Sequence, residues 1–297
     1  MGSRTAGREE LVRLGYRGFA YKARIVHQPN PRIAPVVLLG GAFQQRTAWG
    51  RIEQGLRPAA TVITMDLPGA GDADRLPADY GFDFLTGAFD HLLGTVAAGR
   101  VNVVGASYGS AVAHRWVQLN PERVDRILLI GTMSGMTEHV RAAFRRTADL
   151  AEQGRRGEFV DSVLESLLCS DPNAAVARQA TVARCLSRLL NALSDGDVAR
   201  YLDNTHRLLR HDPDPGGATV TTPVLITTGE HDPLTTPRLS REAAARYANA
   251  HFTTIKGADH LVHLERPTEL VDLGLRYFSG RPLTGLDYCH PVEHLTH

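Results

Sequence analysis

Cysteine is scarce in this sequence, and long apolar runs are missing from it. The three cysteines, Cys169, Cys185 and Cys289, are odd in number and lack the close spacing of metal ligands or redox pairs. This argues against a disulfide framework and favours a reducing, cytoplasmic location. No run approaches the length of a membrane span, and the first thirty residues lack the apolar core of a signal peptide. We therefore expect a soluble protein that has no membrane span and is not exported.

A strong charge of either sign is also missing. The chain has 33 Lys+Arg against 32 Asp+Glu, which gives a formal net charge of +1 at pH 7. Lys22 and Lys256 are its only lysines, so arginine carries nearly all the positive charge. This balance gives no reason to expect nucleic acid or another polyanion as a partner. It fits a small, neutral or weakly charged substrate, and it leaves the oligomeric state open.

What the chain does contain is a regular alternation of short apolar runs and helical patterns. With 297 residues and 43% hydrophobic composition, it is long enough to bury a large core. Strands are expected within residues 16–25 and at 36–39, 61–65, 101–104, 126–130, 224–228 and 251–255. Helices are expected at 49–56, 82–97, 111–119, 238–247 and 265–278. The alternation predicts an α/β fold with a mostly parallel sheet flanked by helices.

Residues 134–213 interrupt this alternation. They contain no strand-like run, and their apolar residues follow helical spacing, with Phe144, Phe159 and Leu167 among them. We interpret this region as a helical cap inserted into a core formed by 1–133 and 214–280, with a turn-rich linker at 212–217. The tail, 281–297, lacks periodicity and is expected to be partly ordered at most.

A possible nucleophile lies in the stretch Gly105-Ala106-Ser107-Tyr108-Gly109. An apolar strand enters this G-x-S-x-G pattern and a helical segment leaves it, which is the context that lifts a serine above a sheet edge. The backbone must turn so tightly at the serine that side chains two residues away would collide with the strand and the helix. Ser107 is therefore the candidate nucleophile.

Two later loops supply a base and an acid. Gly229-Glu230-His231-Asp232 and Gly257-Ala258-Asp259-His260 each follow a predicted strand, so both should lie at the same sheet edge as the serine. A serine needs a neighbouring base, and the base needs a third group to fix its tautomer. We favour His260 as the base and Asp232 as the orienting acid. Asp259 is the alternative acid, and His263 is the alternative base.

The chain resembles α/β-hydrolase fold proteins over residues 20–280, because several motifs occur together in the right order. These motifs are Leu39-Gly40-Gly41-Ala42, Asp66-Leu67-Pro68-Gly69-Ala70-Gly71, and the serine, aspartate and histidine stretches given above. The resemblance implies a Ser107, Asp232 and His260 triad, with an oxyanion hole formed by the backbone N–H groups of Ala42 and Tyr108. Many relatives have histidine where this chain has Gly40.

No cofactor or metal is predicted. Cys289, His290, His294 and His297 are close together in the tail, but no second ligand-rich segment accompanies them. The leading hypothesis is a serine hydrolase that cleaves an ester or thioester of a mainly apolar small molecule. A looser similarity to rhamnolipid-precursor acyltransferases and natural-product pathway hydrolases leaves open transfer, cyclisation or elimination by the same triad. A third hypothesis is a non-catalytic module that binds a small ligand on the same fold.

Overall fold

A twisted sheet organises the protein in the computed structural model, which describes residues 8–97, 99–212 and 220–296. Within these residues the strands are β1 Glu9–Tyr16, β2 Phe19–Val26, β3 Val36–Leu39, β4 Val62–Asp66, β5 Val101–Ala106, β6 Val124–Ile130, β7 Val224–Gly229, β8 Asn249–Ile255 and β9 Glu293–Thr296. Their spatial order is β1-β2-β4-β3-β5-β6-β7-β8-β9. Strands β3 to β8 pair in parallel, while β1, β2 and β9 pair antiparallel at the two ends. The mostly parallel sheet is as expected from the sequence.

Helices cover both faces of this sheet. The described helices are α1 Gly50–Leu56, α2 Phe82–Val96, α3 Tyr108–Leu119, α4 Glu138–Glu152, α5 Arg156–Leu167, α6 Gln179–Asn191, α7 Asp195–Leu209, α8 Pro237–Ala244, α9 Val262–Glu265 and α10 Pro267–Phe278. Side chains of α2, α3 and α8 pack on one face of the sheet and form one core, and those of α1 and α10 form a second core on the opposite face. Strands β3, β4, β5 and β7 are buried along their whole length because apolar side chains meet helices on both sides. None of the helices described is long and apolar enough to cross a bilayer.

The order of the strands creates a crevice between β3 and β5. The chain runs from β3 to β4 on one side and then returns to place β5 on the other side of β3. The loops that follow β3 and β5 therefore separate at the carboxyl edge, where α/β proteins bind ligands. The two loops still approach closely, since a Cβ atom added to Gly41 would lie 3.2 Å from Cβ of Ser107.

Helices α4 to α7 follow one another in the chain between β6 and β7. They have a small core of their own, in which Phe159 and Leu190 are fully buried. Tyr201 from this core stacks on Phe43, in the loop after β3, with ring centroids 4.9 Å apart. Arg207 of α7 is 2% exposed and donates to the carbonyl of Leu76 at 2.8 Å. These four helices, called the cap below, are thus attached to the core by stacking and by buried hydrogen bonds. Most of the predicted linker lies in 213–219, outside the described residues.

Three elements differ from the sequence-based expectations. Strand β1 begins at Glu9, ahead of the expected range, because an edge strand whose residues alternate between exposed and half-buried has no strong apolar pattern. The last helix, expected at 265–278, begins at Pro267 as α10, and the separate short helix α9 precedes it, because proline lacks the N–H that would continue the earlier helix. The tail adds the antiparallel strand β9 to the sheet edge, and Cys289 beside it is 4% exposed.

Candidate active site

Ser107 lies at a sharp turn between β5 and α3. Its backbone has φ 48° and ψ −115°, a strained conformation for a residue with a side chain. A Cβ atom on Gly105 would come within 2.8 Å of Cα of Ser110, and one on Gly109 would lie 2.3 Å from the carbonyl oxygen of Leu39. Both glycines are therefore required by close contacts, with α3 in the first case and with the end of β3 in the second.

The structure brings Ser107, His260 and Asp232 together from three different strand ends. Nε2 of His260 lies 3.0 Å from Oγ of Ser107, and Nδ1 of His260 lies 2.9 Å from Oδ2 of Asp232. An ionised carboxylate can only accept, so Nδ1 carries the proton and Nε2 is left free to accept the serine proton. The three residues predicted from separate motifs form a continuous hydrogen-bonded chain.

Asp232 uses its two oxygen atoms for different tasks. Oδ1 accepts the backbone N–H groups of Leu234 and Thr235, each at 2.8 Å, which is the turn-capping role that any aspartate before Pro233 could have. Oδ2 accepts from His260, from the hydroxyl of Thr228 and from the hydroxyl of Thr235. Turn formation and orientation of the imidazole are therefore compatible in one side chain.

Burial and charge act in opposite directions on this pair. Burial raises the pKa of Asp232, but the charge and hydrogen bond of His260, with the threonine hydroxyls, outweigh it and lower that pKa to about 2. Burial lowers the pKa of His260, while the charge and hydrogen bond of Asp232 and the charge of Asp259 raise it above its ordinary value. The carboxylate thus remains ionised near neutral pH and favours the imidazolium form of His260.

The alternative acid and base have other contacts. The carboxylate of Asp259 accepts the backbone N–H groups of Leu261 at 3.0 Å and Cys169 at 3.1 Å. His263 lies in α9, with its ring 6.3 Å from that of Trp49, and burial lowers its pKa to about 4. The geometry therefore favours Asp232 and His260 over these two residues.

The candidate oxyanion donors lie on the two loops that meet at Ser107. Tyr108 is the first residue of α3, and Ala42 follows the close approach of Gly41 to the serine. Both residues line a cavity that Ser107 also lines, the larger of the two described below. That their two backbone N–H groups form the oxyanion hole, as the family resemblance implies, stays a prediction.

Gln44 supports this loop, and the sequence did not reveal it. Its Oε1 accepts the N–H of Gly41 at 3.1 Å, while its buried Nε2 has no hydrogen-bond partner among the described residues. A Cβ atom on Gly40 would lie 3.2 Å from Cβ and 3.3 Å from Cγ of Gln44. The glutamine therefore occupies the space beside Gly40. The signal that could have found it was Gly40 itself, a departure from the histidine that the family resemblance implies at this position.

A second anchor of the same loop comes from the end of β4. The buried carboxylate of Asp66 accepts the backbone N–H of Arg46 at 2.7 Å and forms an ion pair with its guanidinium group. A Cβ atom on Gly71 would lie 2.4 Å from Cγ of Asp66. Asp66 thus organises its turn and joins it to the loop after β3.

Two cavities meet at Ser107. The larger has a volume of about 510 Å³ and lies between the core and the cap, and its walls include Phe43, Leu167 and Leu193. The smaller has a volume of about 110 Å³ and extends along α3. Phe144 and Leu208 of the cap line both cavities. Phe159 is instead fully buried in the cap core.

Comparisons with known proteins extend over most of the chain. A model of the alpha/beta hydrolase family matches residues 36–273. The (E)-2-((N-methylformamido)methylene)succinate hydrolase of Acinetobacter baylyi is 24% identical over 249 residues, which are 80% of this chain and 87% of that protein. Among solved structures, MGS-M2, an alpha/beta hydrolase enzyme from a Medee basin deep-sea metagenome library, has a TM-score of 0.79 at 18% identity and covers 93% of this chain and 99% of its own. The enol-lactonase of Burkholderia xenovorans has a TM-score of 0.77 at 21% identity, with 91% of this chain and 100% of its own covered.

Proposed function

Since the chain belongs to the α/β-hydrolase family, which confirms the fold and the enzyme class expected from its motifs, we propose that it is a serine-dependent hydrolase. In this proposal it cleaves an ester or thioester of a mainly apolar small molecule through an acyl-enzyme intermediate. The observation that carries the proposal is the 3.0 Å contact between Nε2 of His260 and Oγ of Ser107 at a strained turn. A cytoplasmic site of action remains a prediction from the cysteine usage.

Acylation begins with the proton of Ser107. Nε2 of His260 accepts this proton as Oγ attacks the carbonyl carbon, and the charge of Asp232 stabilises the imidazolium that forms. The carbonyl oxygen becomes negatively charged and accepts hydrogen bonds from the N–H groups of Ala42 and Tyr108. The imidazolium then gives its proton to the leaving oxygen or sulfur, which leaves the acyl group on Ser107.

Deacylation repeats these steps with water. His260 removes a proton from a water molecule, whose oxygen attacks the acyl carbon, and the same two N–H groups stabilise the second oxyanion. The imidazolium returns its proton to Oγ of Ser107, so that free acid departs and the enzyme is restored.

The larger cavity supports the apolar part of the proposal. Its volume of about 510 Å³ is within the usual range of roughly 300–1,000 Å³ for small-molecule sites. The walls contributed by the cap are apolar at Phe144, Leu167 and Leu193. Such walls bind an apolar group by removing it from water and impose few directional demands on it.

Covalent labelling of the serine tests this function directly. We expect an alkyl fluorophosphonate to modify Ser107 in the wild-type protein, with the adduct located by mass spectrometry of the peptide. The Ser107→Ala variant should take up no label and should hydrolyse no substrate from a panel of acyl esters and thioesters. An active wild-type protein that is not labelled at Ser107 would refute the mechanism.

Product analysis separates the proposed hydrolysis from the alternatives. Free acid as the sole product would exclude acyl transfer, whereas a new ester or a cyclised product would replace hydrolysis as the function. Tight binding of a ligand without turnover would instead favour the binding module.

A further inference from the structure

Two buried carboxyl groups lie next to the catalytic base of the proposed mechanism. Asp259 immediately precedes His260 and is 0% exposed, and Glu265 of α9 is 2% exposed. The backbone N–H of Asp259 donates to Oε2 of Glu265 at 2.7 Å. Neither acid takes part in the proton transfer between Ser107 and His260, so the presence of two such groups in the core requires another explanation.

The hydrogen-bond donors around the two acids differ. Both oxygens of Asp259 accept a backbone N–H, from Leu261 at 3.0 Å and from Cys169 at 3.1 Å. Oε1 of Glu265, by contrast, is buried and receives no hydrogen bond from the part of the chain that the structure describes. A buried negative charge is stabilised by donors, so this arrangement favours the charge on Asp259 and the proton on Glu265.

The effect of the surroundings on Glu265 agrees with this assignment. Burial and the charge of Asp259 raise the pKa of Glu265 well above its ordinary value. A protonated Glu265 becomes a donor toward the neighbouring carboxylate, which satisfies the oxygen that otherwise lacks a partner. Asp232 also acts on the pair and on the adjacent imidazole, and His263 of α9 faces that imidazole, since the charge of His260 helps to lower the pKa of His263.

Asp259 also connects the cap to the loop that carries His260. The segment between α5 and α6, residues 168–178, lies against this loop, and its Cys169 donates to the Asp259 carboxylate. Two more hydrogen bonds follow, from the N–H of Ala177 to the carbonyl of Gly257 at 2.8 Å and from Arg178 to the carbonyl of Leu264 at 2.8 Å. Of these three contacts, the one at Asp259 lies directly beside the base in sequence.

We propose that Asp259 is a positioning residue for His260. The buried carboxylate of Asp259 links cap segment 168–178 to the loop that carries His260 and places a fixed negative charge beside the imidazole. Glu265 keeps the proton of the pair. The inference rests on the proposed function, because it assigns His260 the role of base. It differs from the role of Asp232, which contacts the imidazole directly.

A pair of isosteric variants tests this assignment. Asp259→Asn removes the fixed charge, so the pKa that limits kcat/KM on the acid side should fall. The same change weakens the contact with the cap, which should lower kcat about tenfold. Glu265→Gln replaces one neutral group by another, so it should leave the acid limb in place and kcat within about threefold of wild type. A purely structural role for Asp259 would lower kcat and thermal stability without moving the acid limb.

Titration of the imidazole by NMR provides a readout that does not depend on turnover. In a Ser107→Ala background, the pKa of His260 should fall with Asp259→Asn and stay unchanged with Glu265→Gln. An unchanged value in a folded Asp259→Asn variant, or a shift caused by Glu265→Gln, would overturn the proposal. If Asp259→Asn does not fold, the Glu265→Gln titration alone decides whether the charge was assigned correctly. Failure of serine labelling would count against the proposed function, whereas these titrations test the acid pair in either case.

Discussion

The carboxyl edge of the sheet and the cap meet at one serine, but their geometry has different origins. At the sheet edge, Ser107, Asp232 and His260 each follow the end of a parallel strand, so hydrogen bonding between strands brings them together. In the cap, the walls of the larger cavity depend on how four helices pack on one another and on the loop after β3. From this difference we expect core variants to change kcat and cap variants to change selectivity.

Removal of the nucleophile is expected to have the largest effect. Ser107→Ala should lower kcat by about 10⁴- to 10⁶-fold, because water would have to attack without a covalent intermediate. The measurement is kcat and KM for one ester on wild type and variant. Ser279→Ala is the matched control, since Ser279 is exposed after α10 and should retain full activity. A Ser107→Ala variant with more than a small fraction of the original kcat would place the reaction elsewhere.

Loss of the orienting carboxylate should rank next. Asp232→Asn can donate to Nδ1 of His260, which favours the tautomer whose Nε2 carries the proton and cannot accept from the serine. We expect kcat to fall by about 10³- to 10⁴-fold while KM changes little. Asp195→Asn, at an exposed position in the first turn of α7, is the control. A similar loss in both variants would show a general effect of removing charge.

The pH profile of the wild-type protein follows from the same pair. His260 acts as base only when it is neutral, and Asp232 raises its pKa above the ordinary value. The value of kcat/KM should therefore decline as the pH falls through this raised pKa, and the limiting pKa should exceed about 6.5. An acid limb below that value would contradict the effect attributed to Asp232.

Gln44 shows where sequence reasoning about the core was incomplete. The contact between Ser107, His260 and Asp232 could be predicted because each belongs to a motif that follows a strand, and the ends of parallel strands lie at one edge of the sheet. Gln44 belongs to no such motif, since its role depends on its side chain folding back into the space beside Gly40. Gln44→Met should remove the acceptor for the N–H of Gly41 and lower kcat by about 10- to 100-fold. Gln54→Met, on the exposed face of α1, should have no effect, and equal losses in both would remove the case for loop support.

The cap shows a different limit. Helical periodicity was sufficient to predict helices within 134–213. It did not predict how deeply each side chain is buried, because burial depends on helix crossing angles that the sequence pattern does not specify. Phe159 is part of the cap core, whereas Phe144 and Leu167 line the larger cavity. Similar local patterns thus place one side chain in the core of the cap and others on the wall of a cavity.

Truncation of Phe144 should produce the smallest effect, and one confined to selectivity. This residue lines both cavities beside Ser107, so Phe144→Ala should enlarge the space around the acyl group without altering the hydrogen bonds of the triad. We expect the ratio of kcat/KM for a branched or long acyl ester to that for acetate to change by about tenfold, a typical consequence of reshaping an apolar pocket. His139→Ala removes a ring from an exposed position of the same helix and should leave the ratio unchanged. A Phe144→Ala variant that loses kcat equally for every ester would mean that the cap takes part in the chemistry, and the division between core and cap would fail.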